Sequence, residues 1–243
     1  MKKLIILLLS FVLIATTNAQ KVYEQDIIKT KSGDLKITFI GHGTLMLEWN
    51  KLIVHVDPVG RYADYSNMPK ADLILITHQH GDHLDSLAIV ALKKETTMLF
   101  CNKASHSKAK FGTVLENGKV AEYKGIKIEA VPAYNIVNKR ENGQPFHPKG
   151  EGNGYVLTFA DKKIYIAGDT ENIPEMKELK NIEVAFLPMN LPYTMTPQMV
   201  VDAVEMFHPK ILYPYHFGNS NVNELVSLLR DNKDCDVRKR KMN

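Results

Sequence analysis

Leu73-Ile74-Leu75-Ile76-Thr77-His78-Gln79-His80-Gly81-Asp82-His83 joins four consecutive apolar residues to a turn that carries three imidazoles and a carboxylate in six positions. The aliphatic run predicts a strongly apolar strand over Leu73 to Thr77. Imidazole nitrogen and carboxylate oxygen are the usual donors to zinc-like ions, and a turn at a strand end delivers several of them to one small volume. The chain has nine histidines in 243 residues, so three within six positions mark a metal-binding turn rather than a polar surface loop.

Leading into this stretch, Leu35 to Ile40, Leu45 to Trp49 and Leu52 to Val56 read as strands separated by Gly41-His42-Gly43 and Asn50-Lys51. Beyond it, Leu84, Leu87, Ala88, Ala91 and Leu92 recur at helical spacing, and Thr97 to Cys101 returns to strand. Similar material follows. Ile126 to Val131, Gly154 to Phe159 and Lys163 to Ala167 are predicted strands, Pro174 to Leu179 a short helix and Val184 to Leu187 a strand. Met199, Val200, Ala203, Val204 and Phe207 form a helical stripe, Ile211 to Tyr215 a strand and Val222 to Leu229 a last helix. Two halves of like content predict two sheets face to face with helices outside, a four-layer αββα sandwich of the α/β class. Asn135 to Asn153, rich in Gly, Pro, Asn and charge, is long for an irregular segment in a compact domain and reads as functional.

Apolar residues at 44%, charged at 24% and aromatic at 8% describe an ordinary globular protein and exclude a disordered or fibrous one. The net charge of +4 resides partly in Arg238-Lys239-Arg240-Lys241 and is too small for a nucleic-acid face. Lys2 and Lys3, the apolar run Leu4 to Ala15 broken only by Ser10, and the small residues Thr17-Asn18-Ala19 predict a signal peptide over residues 1–19. Its removal leaves one domain, residues 20–243, with 224 residues and a net charge of +2, exported to the periplasm or secreted. The apolar run falls short of the roughly 18 to 20 residues that span a bilayer, so stable membrane insertion is not expected. Cys101 and Cys235 leave two readings, a single bridge or two free thiols.

The order His78-x-His80-x-Asp82-His83 resembles the signature of the metallo-β-lactamase superfamily. Asp57 after Leu52 to Val56, Gly168-Asp169-Thr170 after an apolar strand, and Tyr213-Pro214-Tyr215-His216-Phe217-Gly218 extend the resemblance over residues 35–220. Ile40-Gly41-His42-Gly43 and Ala167-Gly168-Asp169-Thr170 are most similar to the ascorbate-6-phosphate-lactonase-like branch. The resemblance implies that His78 and His80 bind one metal, that Asp82, His83 and His216 bind a second, and that Asp169 bridges them. Two divalent ions, most naturally Zn2+ with Mn2+ or Fe2+ as alternatives, would hold a metal-bridging hydroxide lowered towards neutral pKa. That hydroxide would attack an ester, lactone or phosphodiester bond of a small-molecule substrate, with Asp82 or Asp169 taking up the proton. A bridging aspartate argues against a true β-lactamase. Asp57 would orient a ligand imidazole or simply start the turn Asp57-Pro58.

The superfamily places a histidine after the strand represented by Ile126 to Val131, where this chain reads Pro132-Ala133-Tyr134-Asn135. His147 in the long loop is expected to fold back and complete the first site, with Asn135 or water as the alternative. The missing histidine also supports a different reading, a catalytically degenerate metal- or ligand-binding module on the same fold. His42 is expected either beside the pocket or in a simple turn role and Tyr193 either lining the pocket or in ordinary packing, with His55 in the core and His106 and His208 near helix ends.

Overall fold

The computed structural model describes Lys21 to Met242, and the expected signal peptide lies outside the described residues. Two seven-stranded sheets carry the strands in strict chain order. The first holds β1 (Glu24–Thr30), β2 (Gly33–Gly41), β3 (Thr44–Trp49), β4 (Leu52–Val56), β5 (Leu73–Leu75), β6 (Met98–Cys101) and β7 (Thr113–Val114). The second holds β8 (Val120–Tyr123), β9 (Ile126–Ala133), β10 (Gly152–Phe159), β11 (Lys162–Ile166), β12 (Ile182–Pro188), β13 (Ile211–Tyr215) and β14 (Asp236–Val237). Hairpins make β1 to β4 and β8 to β11 antiparallel, whereas β4 to β7 and β11 to β14 run parallel.

Period-two alternation decides which layer each side chain enters. Leu35, Ile37 and Phe39 of β2, Leu45 and Leu47 of β3, and Leu73 and Leu75 of β5 join the core between the sheets. Phe39 meets Phe186 and Tyr213 of the opposite sheet at 6.1 and 4.8 Å between ring centroids, and Trp49 meets Phe159 at 5.6 Å. Ile74 and Ile76 point the other way, onto Ala88, Ile89 and Leu92 of α1 (Ser86–Leu92). Both faces of β5 are therefore buried, which is why its sequence is apolar without alternation. Beyond the second sheet, Val200, Ala203, Val204 and Phe207 of α3 (Pro197–Phe207) and Leu225 of α4 (Val222–Leu228) close the fourth layer. The αββα sandwich is thus complete.

The expected elements are present, with shifts at their ends. The strand read as Leu73 to Thr77 stops at Leu75, and Thr77 N donates to the Asp57 side chain rather than to a neighbouring strand. The helix after that turn begins at Ser86, where Asp85 accepts from the backbone N–H groups of Leu87 and Ala88. Residues 174–178 form a 3-10 turn instead of an α-helix, opened by Pro174. Strand β1 and helix α2 (Lys103–Ala109) have no counterpart in the apolar pattern, since β1 buries only Ile28 and α2 only Ser105. Cys101 at the end of β6 and Cys235 just before β14 are both buried free thiols, so no bridge joins them. Among the described residues no helix is long and apolar enough to cross a membrane.

Candidate metal centre

Parallel strands aim their carboxyl ends at one edge of each sheet, and in open α/β architectures that edge collects ligand-binding groups. Asp57 follows β4, the turn His78 to His83 follows β5, Asp169 follows β11 and His216 follows β13. His42 comes from the β2–β3 hairpin and His147 from the β9–β10 loop. Six sequence-distant segments meet there.

The donors fall into overlapping sets whose atoms lie within 4.8 Å of one another: His78, His80 and His147; His42, Asp82, His83 and His216; and His78, His83 and Asp169. Asp169 lies where the sets meet. Its Oδ2 is 3.2 Å from His147 Nε2, 3.3 Å from His216 Nε2 and 3.7 Å from His78 Nε2, and its Oδ1 is 3.4 Å from His83 Nε2. On the outer side, Asp82 Oδ2 lies 3.2 Å from His42 Nε2 and 3.6 Å from His216 Nε2.

His42 and Asp82 are hydrogen-bonded, but the contacts around Asp169 lack the alignment of hydrogen bonds. His83 Nε2, His147 Nε2, Asp169 Oδ1 and both ring nitrogens of His216 are buried with no hydrogen-bond partner. A buried polar atom left unmatched costs about 1–3 kcal/mol, and several converging on one volume are tolerated where a cation satisfies them together. His78 Nε2 and His80 Nδ1 face each other at 3.1 Å, a further pair of imidazole nitrogens turned to a common point. The donor set therefore fits divalent metal.

The surroundings hold the donors in place. Asp57, 1% exposed, accepts from Thr77 N at 2.7 Å and Thr77 Oγ1 at 2.5 Å, and its Oδ2 lies 2.7 Å from His83 Nδ1. That pairing leaves His83 Nε2 directed at Asp169. Burial alone would lower the His83 pKa, but Asp169 and Asp57 outweigh it and push the imidazole up to about 9 in the ion-free protein. His78 moves the opposite way, driven well below its usual value by burial and then by the charge of His83. Burial opposes ionisation of Asp169, yet His216, His83 and His78 hold it well below the ordinary carboxylate range. Asp82 is likewise depressed, its partial burial outweighed by His216 and His42.

The structure brings together every histidine and aspartate expected at the centre and adds His42 to the donors on the Asp82 side. Asn135 is placed differently from a ligand. Its Oδ1 accepts from His147 N at 2.9 Å and lies 2.7 Å from His147 Nδ1, so the amide holds the loop histidine rather than facing the cluster. Tyr193, 45% exposed, sets its ring edge-on against Phe146 at 5.1 Å. A cleft of about 420 Å³ opens over the cluster, bordered by Tyr193, Phe146, Arg140 and Asn190. Arg140, Phe146 and Asn190 carry no motif that marks them in the sequence. His55 is buried in the core, where burial lowers it to about 4, and His208 caps α3 in a left-handed conformation.

A family profile for the beta-lactamase superfamily domain matches residues 36–216, and the chain belongs to that superfamily. Its relatives are consistent in kind. A metal-dependent hydrolase of Methanopyrus kandleri is 32% identical over 203 residues, covering 76% of this chain and 84% of the relative. One of Pelotomaculum thermopropionicum is 29% identical over 194 residues, covering 76% and 85%. Among solved structures, a Parabacteroides distasonis protein named a metal-dependent hydrolase superposes with a TM-score of 0.87 at 51% identity, over 91% of this chain and 100% of that one. A metallo hydrolase of Ignicoccus hospitalis, 24% identical, shares the fold with a TM-score of 0.72 over 86% of this chain and 96% of its own. The protein is a metal-dependent hydrolase of the metallo-β-lactamase fold.

Proposed function

We propose that the protein is an exported two-metal hydrolase that cleaves an ester, lactone or phosphodiester bond of a small molecule. The observation that carries this reading is the Asp169 carboxylate, set between His78 and His147 on one side and His83 and His216 on the other. His78, His80 and His147 would hold one ion, and Asp82, His83 and His216, with His42 beside them, the other. When bound, two such ions supply Lewis-acid activation of a water and of the bond it attacks, and zinc suits these nitrogen and oxygen donors best, with Mn2+ or Fe2+ as alternatives.

The chain's own groups do the rest. Asp57 holds the Nδ1 side of His83, so the Nε2 lone pair is the one presented to the centre. Asp82, with its side chain 36% exposed at the cleft, is open to solvent and positioned to take up and release a proton, whereas Asp169 is enclosed. Phe146 and Tyr193 form an apolar wall, and the Arg140 guanidinium, 5.0 Å over the Phe146 ring, suits an anionic group on the substrate. The degenerate reading rests on the absence of a histidine at Asn135; the grouping of His147 with His78 and His80 supports the two-metal reading instead.

Metal analysis joined to a screen of lactone, phosphodiester and β-lactam substrates tests the reading. Two ions per chain and turnover of one of the first two classes are expected, and Asp169→Ala should lose both turnover and metal while keeping its circular dichroism. One ion, or preferred turnover of β-lactams, would overturn it. Export rests on Lys2, Lys3, the Leu4 to Ala15 run and Ala19. Intact mass of protein from the native envelope fraction should begin at Gln20, and a full-length cytoplasmic species would contradict export.

A further inference from the structure

We infer that Glu171 is a positioning residue for His147, acting through Asn135, and that it governs metal occupancy of the His78, His80 and His147 half of the centre. The inference rests on the two-ion reading above. Glu171 is 1% exposed and closes the Asp169-Thr170-Glu171 turn that follows β11. Its Oε2 accepts from the backbone N–H groups of Ile136 and Val137, both at 2.7 Å, and its Oε1 from Asn138 N at 2.7 Å. Three consecutive amides converging on one carboxylate form a built anion nest at the start of the long loop.

The same Oε1 accepts from Asn135 Nδ2 at 3.1 Å, and Nδ2 also donates to the Tyr193 carbonyl at 2.9 Å. Both partners are acceptors, so the amide cannot be flipped without turning its oxygen onto a carboxylate and a carbonyl. Asn135 Oδ1 must therefore face His147, where it accepts from the backbone N–H and lies 2.7 Å from Nδ1. An amide oxygen only accepts, so Nδ1 carries the proton. The Nε2 lone pair is left buried, without a hydrogen-bond partner, 3.2 Å from Asp169 Oδ2. Each assignment follows from the one before it, from carboxylate to amide to imidazole to the centre.

One turn thus serves both ends of the arrangement. Asp169 projects into the donor cluster, and Glu171, two residues on, reaches into the start of the long loop and sets the tautomer and angle of the loop-borne histidine. Thr170 fastens the join, its Oγ1 donating to the Tyr134 carbonyl and accepting from Tyr134 N, each at 3.1 Å. His83 has a carboxylate, Asp57, directly on its Nδ1, while His147 has a carboxylate one amide removed.

Zn2+ titration of the full chain against a competing chromophoric chelator tests the relay without reference to turnover. In Glu171→Gln, one Zn2+ equivalent should weaken by about 10-fold or more, as when an outer partner of a ligand is lost, and the other should be unchanged. His147→Ala should weaken the same equivalent, and adding Glu171→Gln to His147→Ala should cost nothing further, because the pathway from Glu171 to the metal is already cut. A residue that merely braced the fold would weaken both equivalents or add to His147→Ala, and either result overturns the inference. Asn135→Ala leaves the three backbone contacts of Glu171 in place and should show the same selective loss, which keeps the test decisive if Glu171→Gln fails to fold. Should the wild type hold only one equivalent, the two-ion reading falls. The relay then stands only if that equivalent weakens alike in His147→Ala and Glu171→Gln.

Discussion

Both ring nitrogens of His83 face a carboxylate, Asp57 at 2.7 Å and Asp169 at 3.4 Å, and this side chain gives the centre its pH response. With its pKa up to about 9 in the ion-free protein, His83 holds a proton that a metal must displace. Below pH 9 each ion bound there releases that proton, so apparent affinity should climb towards pH 9 by up to about tenfold per pH unit. Stability of the metal-stripped protein should run the other way. The folded pKa lies above the unfolded value of about 6.5, so the stabilisation is full below that pH and is lost as pH rises through about 9. Thermal melts of stripped protein should fall across this window, and His83→Gln should flatten the fall. A melt profile identical in wild type and His83→Gln would show that His83 is not protonated in the ion-free state.

At the scale of elements, the β2–β3 hairpin and helix α3 separate the demands of the site from those of the fold. A Cβ added at Gly43 would lie 2.7 Å from His83 Cε1, and the ring, fully buried and held by Asp57, has nowhere to retreat. Gly43→Ala should therefore weaken metal binding on the Asp82, His83 and His216 side and spare the His147 side. Chelator titration would reveal the asymmetry. Thr196 caps α3 by accepting from Met199 N at 3.1 Å, on the outer layer of the second sheet. Thr196→Ala should cost about 1 kcal/mol in chemical denaturation and leave metal content unchanged. If metal content fell with it, the outer helix would be coupled to the centre more tightly than its packing indicates.

Across the whole molecule, the C-terminal tail ties the two sheets together. Arg240 grips Asp26 of β1 through Nη2 at 2.8 and 2.6 Å, and Tyr213 of β13 donates to the same carboxylate. Lys241 N donates to Glu24, and His42 N donates to the Met242 carbonyl at 2.5 Å, so the tail ends beside the hairpin that carries His42. Of the basic run, Arg238 and Arg240 direct their guanidinium groups at Asp26. Asp26→Ala strips the acceptor from a largely buried guanidinium and a phenol, and should cost about 1–3 kcal/mol. At about 2–4 °C per kcal/mol for a chain of this size, a differential scan should resolve the loss. An unchanged Tm would mean that the tail contributes no stability through Asp26.

The sequence by itself determined the layers and most of the donors. Leu73 to Ile76 announced an apolar strand, and His78, His80, Asp82 and His83 share one turn, where neighbours in sequence are neighbours in space. Asp169 and His216 were legible because each ends an apolar strand, and parallel strands deliver their carboxyl ends to a common edge. Strand β1 left no apolar trace, because an edge strand held by Arg240 and by pairing with β2 needs little burial of its own. Only the tertiary structure set His147 beside His78 and His80 and turned the Asn135 oxygen onto His147, since both lie in an irregular loop with no periodicity to give direction. Glu171 was silent in the sequence for the same reason: its partners are backbone amides, which every residue carries and no residue type reveals. His42 joined the donors through a hairpin whose end abuts β13, with His216 N bonded to the His42 carbonyl at 3.0 Å. Side-chain chemistry can be read along a chain, but contacts made by backbone across two sheets exist only once the sheets have packed.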